Sequence, residues 1–116
     1  MKKVNIIRKN EDFDRIIKKR SSFSSPLFII NIEKKEKTIP QFGITFVKKI
    51  GNAVTRNKLK RQVKSIIDNH KNYYQIDYNY IIIIKKDAVL KSFKELEEDL
   101  ISLFLKIKEK NNGKQS

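Results

Sequence analysis

The feature that most constrains the fold is a run of four consecutive isoleucines at residues 81–84, inside the segment YNYIIIIKK. A strand with one solvated face alternates apolar and polar residues, whereas a continuous apolar run is expected where both faces of the strand are covered. We therefore predict that this segment is a strand at the centre of a sheet.

Two earlier segments predict further strands, because each alternates apolar residues with the period of two. They are LFIINI, which follows Pro26, and QFGITFV. The residues that share one face are Phe28, Ile30 and Ile32 in the first, and Phe42, Ile44 and Phe46 in the second. Only the charged loop EKKEKTIP separates them, so we predict an antiparallel hairpin. The preceding SSFSSP is predicted to be a turn or a short irregular strand.

Three other segments have helical spacing. The first spans about residues 11–19 after the N-cap Asn10. The second spans about 52–69, is capped by Asn52, and carries an apolar stripe of Leu59, Val63, Ile66 and Ile67. The third spans about 92–109, where Ser92 and Glu95 form a capping box. The predicted order is helix, hairpin, helix, strand, helix in a single domain covering residues 1–116, with a frayed tail from about residue 111.

Basic charge is concentrated in one part of the chain. The formal net charge is +14, and residues 37–67 contain no Asp or Glu. The cations in that window are Lys37, Lys48, Lys49, Arg56, Lys58, Lys60, Arg61 and Lys64. A lysine-rich composition or a merely solvated helix face is the alternative reading. Solvated faces mix both signs of charge, however, so a strip of one sign favours a surface that binds a polyanion.

Most of these cations fall on the second predicted helix. Placed at 100° per residue, an arc of roughly 100° beside the apolar stripe holds Asn57, Lys60, Arg61 and Lys64. Arg56 lies at the edge of this arc, and Lys58 projects toward the far side. Gly51 permits a tight passage from strand to helix, and the free N–H groups of the helix N-terminus, next to Lys48 and Lys49, form a second anion-binding element.

The sequence shows no catalytic constellation. It has no H-x-x-x-H pair, no nucleophile with a nearby base and no cysteine, which fits a reducing interior. No apolar run has the length of a signal peptide or a membrane span, so we expect a cytoplasmic protein without membrane contact. His70 is expected to interact with a helix dipole, and the acids near residues 95–99 to balance lysines. We expect no catalytic residue and no metal ligand in the protein itself.

The segment KKIGNAVTRNKLKR, residues 48–61, resembles the signature of the bacterial ribonuclease P protein component. That signature reads Lys-Lys, a short turn with Gly, Ala-Val, one residue, Arg-Asn-Arg, one residue, Lys-Arg. The match is ungapped, and the order of elements over about residues 6–109 agrees with it. By position, the resemblance implies RNA binding by Lys48, Lys49, Arg56, Asn57, Lys58, Lys60, Arg61 and Lys64. Lys58 departs from the usual Arg, and Lys64-Ser65 departs from the common Arg-Glu.

The resemblance also implies an α/β (α+β) two-layer sandwich with a left-handed βαβ crossover. It places a cleft for the 5′ leader of precursor tRNA between the sheet and the first helix, where Phe13 matches an aromatic contact. Phe13 could equally belong to the core. Ile17 and Asn31 stand where further aromatics are expected. Phe28, Phe42 and Phe46 are predicted to be core residues, and the side of the sheet on which the tyrosines lie stays open.

The implied function is that of the protein subunit of ribonuclease P, which binds the catalytic RNA and precursor tRNA while RNA performs the cleavage. Mg²⁺ is expected in the holoenzyme, with no cofactor held by the protein and no protein partner required. Two alternatives remain. One is a ribosomal RNA-binding or ribosome assembly protein. The other is a stand-alone metal-dependent ribonuclease that depends on Glu98 or Asp99.

Overall fold

The computed structural model describes residues 22–34, 41–47, 51–74 and 78–113. This part of the chain forms strands β1 (Ser22–Ser24), β2 (Phe28–Lys34), β3 (Gln41–Phe46) and β4 (Tyr78–Ile84), and helices α1 (Ala53–Asn69) and α2 (Phe93–Gly113). Short 3₁₀ turns cover Lys71–Tyr73 and Lys86–Leu90. The helix predicted for about residues 11–19 lies outside the described residues, and SSFSSP contains the short strand β1.

Strand β4 lies inside the sheet, whose order is β1-β2-β4-β3. It pairs antiparallel with β2, from Phe28 opposite Ile84 to Lys34 opposite Tyr78. It also pairs parallel with β3 over the whole of β3. The isoleucine run is therefore the central strand that its composition predicts.

The predicted hairpin between β2 and β3 is wrong. Both strands pair with β4 and not with each other, so they run in opposite directions but are separated by one strand. The last residue of β2, Lys34, and the first of β3, Gln41, lie at the same end of β4 and about two strand spacings apart, roughly 10 Å. Six intervening residues are long enough for that distance. Because β4 lies between β2 and β3, this strongly apolar strand is paired on both of its edges. Strand β3, helix α1 and strand β4 form the expected βαβ unit. The handedness of that crossover stays a prediction.

The core lies between one face of the sheet and the two helices, as in a two-layer α/β sandwich. The sheet contributes Phe28, Ile30, Ile32, Phe42, Tyr80, Ile82 and Ile84. Helix α1 contributes the predicted stripe Leu59, Val63, Ile66 and Ile67, and α2 contributes Leu96, Leu100, Leu103, Phe104 and Ile107. The predictions that Phe28 and Phe42 are core residues are confirmed.

The caps set the starts of both helices. The side chain of Asn52 accepts a hydrogen bond from the Thr55 N–H group, as an N-cap should. The Ser92 hydroxyl likewise accepts one from the N–H of Glu95 at 3.2 Å. Helix α2 continues to Gly113, past its predicted end at about residue 109.

The opposite face of the sheet carries both apolar and polar residues and is buried at its centre, where Ile81 is 0% exposed. Asn31, Glu33 and Asn79 are 5%, 7% and 5% exposed, and they alternate with the core residues of β2 and β4. The Asn79 amide donates a hydrogen bond of 3.2 Å to Glu33. Asn31 therefore lies on the sheet face away from the two helices.

Candidate nucleic-acid interface

A residue in the left-handed backbone conformation, Gly51, lies directly before the N-cap of α1. Gly51 has φ of +49°, a conformation that glycine adopts without steric cost. A Cβ atom at this position would lie 3.1 Å from Cβ and Cγ2 of Thr55. The glycine therefore allows the chain to turn tightly against the first turn of α1, as its position in the sequence predicts.

The first turn of α1 offers backbone donors to an anion. Asn52 accepts from the N–H of Thr55 with its side chain and from the N–H of Arg56 with its carbonyl group. In the described part of the chain, the N–H groups of Ala53 and Val54 have no such partner, and the first turn contains no acidic residue. Val54 is 77% exposed, so solvent and ligands can reach this end of the helix. The positive end of the helix dipole therefore remains available to phosphate.

The basic face of α1, defined as Arg56, Asn57, Lys60, Arg61 and Lys64, lies next to the packed stripe. Arg56, Asn57 and Arg61 are exposed, while Lys60 and Lys64 are half-buried. No carboxylate among the described residues forms an ion pair with any of its four cations. The helix is thus neither buried all round nor neutralised within the described structure, and its cations are available to a polyanion.

Lys60 is held in place by an aromatic ring. Its Nζ atom lies 5.8 Å from the centroid of the Phe46 ring, at the end of β3. This geometry allows a cation–π interaction of about 0.5–1 kcal/mol at an accessible site. Phe46 is half-buried against the core, so it both packs, as predicted, and positions one cation of the basic face.

Lys58 lies on the other side of α1, as the helical spacing predicts. It lines a groove of about 290 Å³ together with Arg61, Gln62, Ser65 and Phe93. Phe93 is the first residue of α2, so the groove lies between the two helices. The sequence analysis did not identify Phe93 as a site residue, because only the packing of α2 beside α1 brings it to the cations.

The acidic residues of α2 are mostly engaged in contacts within the protein. Glu95 pairs with Lys91 at 3.6 Å, as expected of an acid that balances a lysine. Asp99 differs from that expectation, because it accepts hydrogen bonds from the Ser25 hydroxyl and the Leu27 N–H group. The described residues contain no group of three or more His, Cys, Asp or Glu that could hold a metal ion.

His70 lies at the C-cap of α1, the helix end at which it was predicted. Its N–H group donates to the carbonyl of Ile67 at 3.2 Å. Its Nε2 atom is 3.5 Å from a carboxylate oxygen of Glu97 on α2. These contacts connect the end of one helix to the other.

The tyrosines near β4 lie on the helix side of the sheet. The Tyr80 ring stacks on Phe42 at 5.3 Å and meets Phe104 edge-on at 5.5 Å. Tyr74 contacts the same two phenylalanines, at 5.0 Å and 6.0 Å. Burial, and secondly the charge of Asp68, raise the pKa of Tyr74 above its ordinary value. Tyr80 is therefore a core residue and Tyr74 packs, partly buried, against the same core, so neither ring faces the opposite side of the sheet.

Three predicted binding residues, Lys48, Lys49 and Phe13, lie outside the described residues. The remaining predicted RNA-binding residues all belong to α1, and the structure brings them onto its accessible surface, where Lys58 lies outside the basic face but beside its member Arg61.

Comparison with known proteins decides the family. The model of the Ribonuclease P family matches residues 1–108. The chain belongs to the ribonuclease P protein family. The ribonuclease P protein component of Mesoplasma florum is 36% identical over 107 residues, which cover 91% of this chain and 97% of the relative. That of Streptococcus pneumoniae strain Hungary19A-6 is 32% identical over 117 residues, covering 99% and 95%.

Solved ribonuclease P proteins share the fold. The Staphylococcus aureus protein superposes with a TM-score of 0.80 at 33% identity, covering 89% of this chain and 94% of that one. The Thermotoga maritima protein gives a TM-score of 0.80 at 27% identity, covering 86% and 94%. The two-layer α/β architecture described above is thus that of ribonuclease P proteins.

Membership in this family establishes the class of function. The chain is the protein subunit of the ribonuclease P ribonucleoprotein, an endoribonuclease for maturation of tRNA 5′ ends, and its partner in that particle is RNA. The family match does not favour the alternative of a ribosomal protein. No helix in the described ranges has the length and apolarity required to cross a membrane.

Proposed function

We propose that the basic face of α1 binds the catalytic RNA of ribonuclease P, and that the protein also binds precursor tRNA. The observation that carries this proposal is the set of cations Arg56, Lys60, Arg61 and Lys64, which have no carboxylate partner in the described structure. A strip of one sign that is held on a rigid helix and backed by core residues presents fixed charges to phosphates. The N–H groups of Ala53 and Val54, which have no hydrogen-bond partner among the described residues, extend this surface. Lys48 and Lys49 are proposed to contribute beside them.

In this proposal the protein neutralises phosphates and positions RNA, and RNA carries out the cleavage. Mg²⁺ is assigned to sites formed by RNA, since the described donor set does not fit a site in the protein. Glu95 bonds to Lys91, Glu97 contacts His70, and Asp99 accepts two hydrogen bonds from the turn before β2. The described chain therefore supplies charge, not a metal-bound nucleophile. A cytoplasmic location fits the absence of cysteine.

The 5′ leader of precursor tRNA is proposed to contact Phe13. Aromatic rings suit a single strand because every base has a stacking face, and each stacked base contributes about 1–3 kcal/mol. Asn31, on the sheet face away from the described helices, is a polar residue at a position where stacking is expected. We therefore assign leader stacking to Phe13 and none to Asn31.

Reconstitution tests this function. The purified chain is combined with a transcript of a bacterial ribonuclease P RNA at low Mg²⁺, and cleavage of precursor tRNA is followed on gels. We expect cleavage at the mature 5′ terminus with protein and RNA together, and none with the protein alone. Cleavage by the protein alone would support a stand-alone nuclease. If the protein fails to restore cleavage and binds ribosomal RNA as tightly as it binds the ribonuclease P RNA, the ribosomal alternative is supported.

The role of the basic face is tested through the salt dependence of binding. Lys60→Glu and Arg61→Glu should each weaken binding to the catalytic RNA. Each should also flatten the plot of log K against log salt by roughly one unit per lost phosphate contact. Lys106→Glu, an exposed lysine on α2 away from this face, is the matched control. If the two α1 variants keep the wild-type slope, the basic face is not at the interface.

A further inference from the structure

The groove beside the basic face contains an accessible aromatic ring. Phe93 is 37% exposed, whereas the core phenylalanines Phe28, Phe42 and Phe104 are 0–2% exposed. It is the first residue of α2, directly after the cap residue Ser92, so the fold holds its backbone in place. A partly exposed ring on a rigid helix start can offer one face to a ligand.

Cations lie on the α1 side of the same groove. Lys58 and Arg61 line it together with Gln62 and Ser65. In the described part of the chain, neither cation pairs with a carboxylate. Glu95, in the first turn of α2, is bonded elsewhere, since it receives the Ser92 hydroxyl at 3.3 Å and lies 3.6 Å from Lys91. The groove therefore has a net positive lining next to an aromatic wall.

The size and composition of the groove limit what can bind there. Its volume of about 290 Å³ is just below the range of roughly 300–1,000 Å³ for sites that hold one small molecule. Such a space is too small for a duplex, so the candidate ligand is of about the size of one nucleotide. Cations beside an aromatic ring are the combination that proteins use for unpaired nucleotides, with the phosphate on the charge and the base on the ring.

Arg61 belongs both to this groove and to the basic face of α1. An RNA strand that follows the basic face would therefore reach the groove without leaving the protein surface. This continuity also gives Lys58 a role, because it lies outside the basic face but lines the groove with Arg61. A groove made only to complete helix packing would not need two cations at its rim that lack a carboxylate partner among the described residues.

We propose that this groove binds one unpaired RNA nucleotide, with its base stacked on Phe93 and its phosphate held by Lys58 and Arg61. Gln62 lines the same groove and supplies an amide group that can donate or accept a hydrogen bond. The inference rests on the proposed RNA-binding function and adds a stacking site to it. The nucleotide comes either from the catalytic RNA or from the leader of precursor tRNA, and the chemistry of the groove is the same for both.

Phe93→Trp provides a direct test, because the chain contains no tryptophan. The variant is first titrated with a bacterial ribonuclease P RNA transcript. The resulting complex of the variant and that RNA is then titrated with precursor tRNA or with mature tRNA. Stacking of a base on the indole should quench its fluorescence at saturation. Quenching by the catalytic RNA alone identifies that RNA as the source, and quenching only by precursor tRNA identifies the leader. Unchanged emission in every arm, with binding confirmed by gel shift, overturns the proposal.

Phe93→Leu tests the energetic contribution while keeping an apolar side chain against the helix. Loss of one stacked base should weaken binding by between about 5-fold and 150-fold, without changing the salt slope because no charge is lost. Phe93→Tyr should bind like the wild type. Leu105→Ala, an exposed apolar residue of α2 outside the groove, is the matched control and should bind normally.

The outcomes separate this inference from the proposed function. If Phe93→Leu binds as tightly as the wild type while Lys60→Glu binds weakly, the groove proposal fails and the basic face stands. If Phe93→Leu weakens binding only in proportion to a lower unfolding midpoint, Phe93 is a packing residue and the proposal fails as well. If the wild type binds none of these RNAs, the proposed function itself fails.

Discussion

The carboxylate of Asp99 accepts a hydrogen bond of 2.6 Å from the hydroxyl group of Ser25, which lies 74 residues earlier in the chain. The same carboxylate oxygen accepts the N–H of Leu27 at 3.1 Å. Ser25 in turn accepts the N–H of Phe28 with its hydroxyl oxygen at 3.0 Å. This small network attaches α2 to the turn between β1 and β2, and it gives Asp99 a structural role.

Asp99→Ala should therefore destabilise the protein without removing its activity. Loss of a charged acceptor from two hydrogen bonds in a partly buried site should cost about 2–3 kcal/mol of unfolding free energy, measured in urea. Its exposed neighbour supplies the control, since Glu98→Ala should cost less than about 0.5 kcal/mol. Under conditions in which it is folded, the Asp99 variant should still support cleavage in the reconstituted particle. Loss of cleavage by a folded Asp99 variant would return the carboxylate to the catalytic candidates.

Gly51→Ala should strain the entry to α1. The positive φ of +49° disfavours a side chain, and the new Cβ would lie 3.1 Å from Thr55. We expect a loss of about 1–2 kcal/mol in unfolding free energy. Gly51→Asn should lose less, because asparagine tolerates the left-handed conformation better than alanine does. Equal stability of the alanine variant and the wild type in urea would show that this turn can adopt another conformation.

Tyr74→Phe should change the response of stability to alkaline pH. The folded state raises the pKa of Tyr74 above the ordinary value of 10.0, through burial first and the charge of Asp68 second. The folded state therefore holds the phenolic proton more tightly than the unfolded state does. The resulting stability is fully present below pH 10 and is lost as the pH rises through the folded-state pKa.

Urea unfolding between pH 8 and pH 11 measures this effect. The wild type should lose stability more steeply above pH 10 than Tyr74→Phe, which has no phenol at this position. Tyr73→Phe, which removes an exposed phenol hydroxyl from the neighbouring residue, is measured in parallel as the control substitution. Parallel curves for the wild type and Tyr74→Phe would show that this phenol does not contribute to alkaline unfolding.

Phe13→Ala should reduce the preference for precursor tRNA over mature tRNA by about 5-fold to 150-fold, the equivalent of one lost stacking contact. Binding is compared for precursors with and without a leader, in the reconstituted particle. The unfolding midpoint of the variant decides the alternative interpretation, because a large drop in stability means that Phe13 is a core residue.

The sequence predicts the elements of the described fold better than their pairing. The isoleucines of β4 indicate a central strand by composition alone, and the stripe from Leu59 to Ile67 indicates the packed side of α1. The error is the hairpin, because sequence neighbours usually pair but need not do so. A strand in the interior of a sheet pairs with another strand on each of its two edges. For β4 these partners are β2 and β3, the two amphipathic strands that precede it in the chain.

The binding surface is predictable only where it follows a single helix. The spacing of Lys60, Arg61 and Lys64 determines their common face. The approach of Phe93 to Lys58 depends on how α1 and α2 pack side by side on the sheet. No local sequence pattern predicts that packing. The same limit applies to Tyr80. The alternation of residues along β4 shows which residues share its face, but whether that face is the one covered by the helices is known only from the structure.

The position of β4 between β2 and β3 also has a consequence for synthesis on the ribosome. The strands at both of its edges, and the helix whose cations are proposed to bind RNA, leave the exit tunnel before the residues of β4 that join them. Until residue 84 has emerged, α1 has no completed sheet to pack against, and its cations are already exposed close to ribosomal RNA. Folding of the nascent chain must therefore wait for its most apolar segment, and early contacts of the emerging helix with nearby nucleic acid would compete with that step.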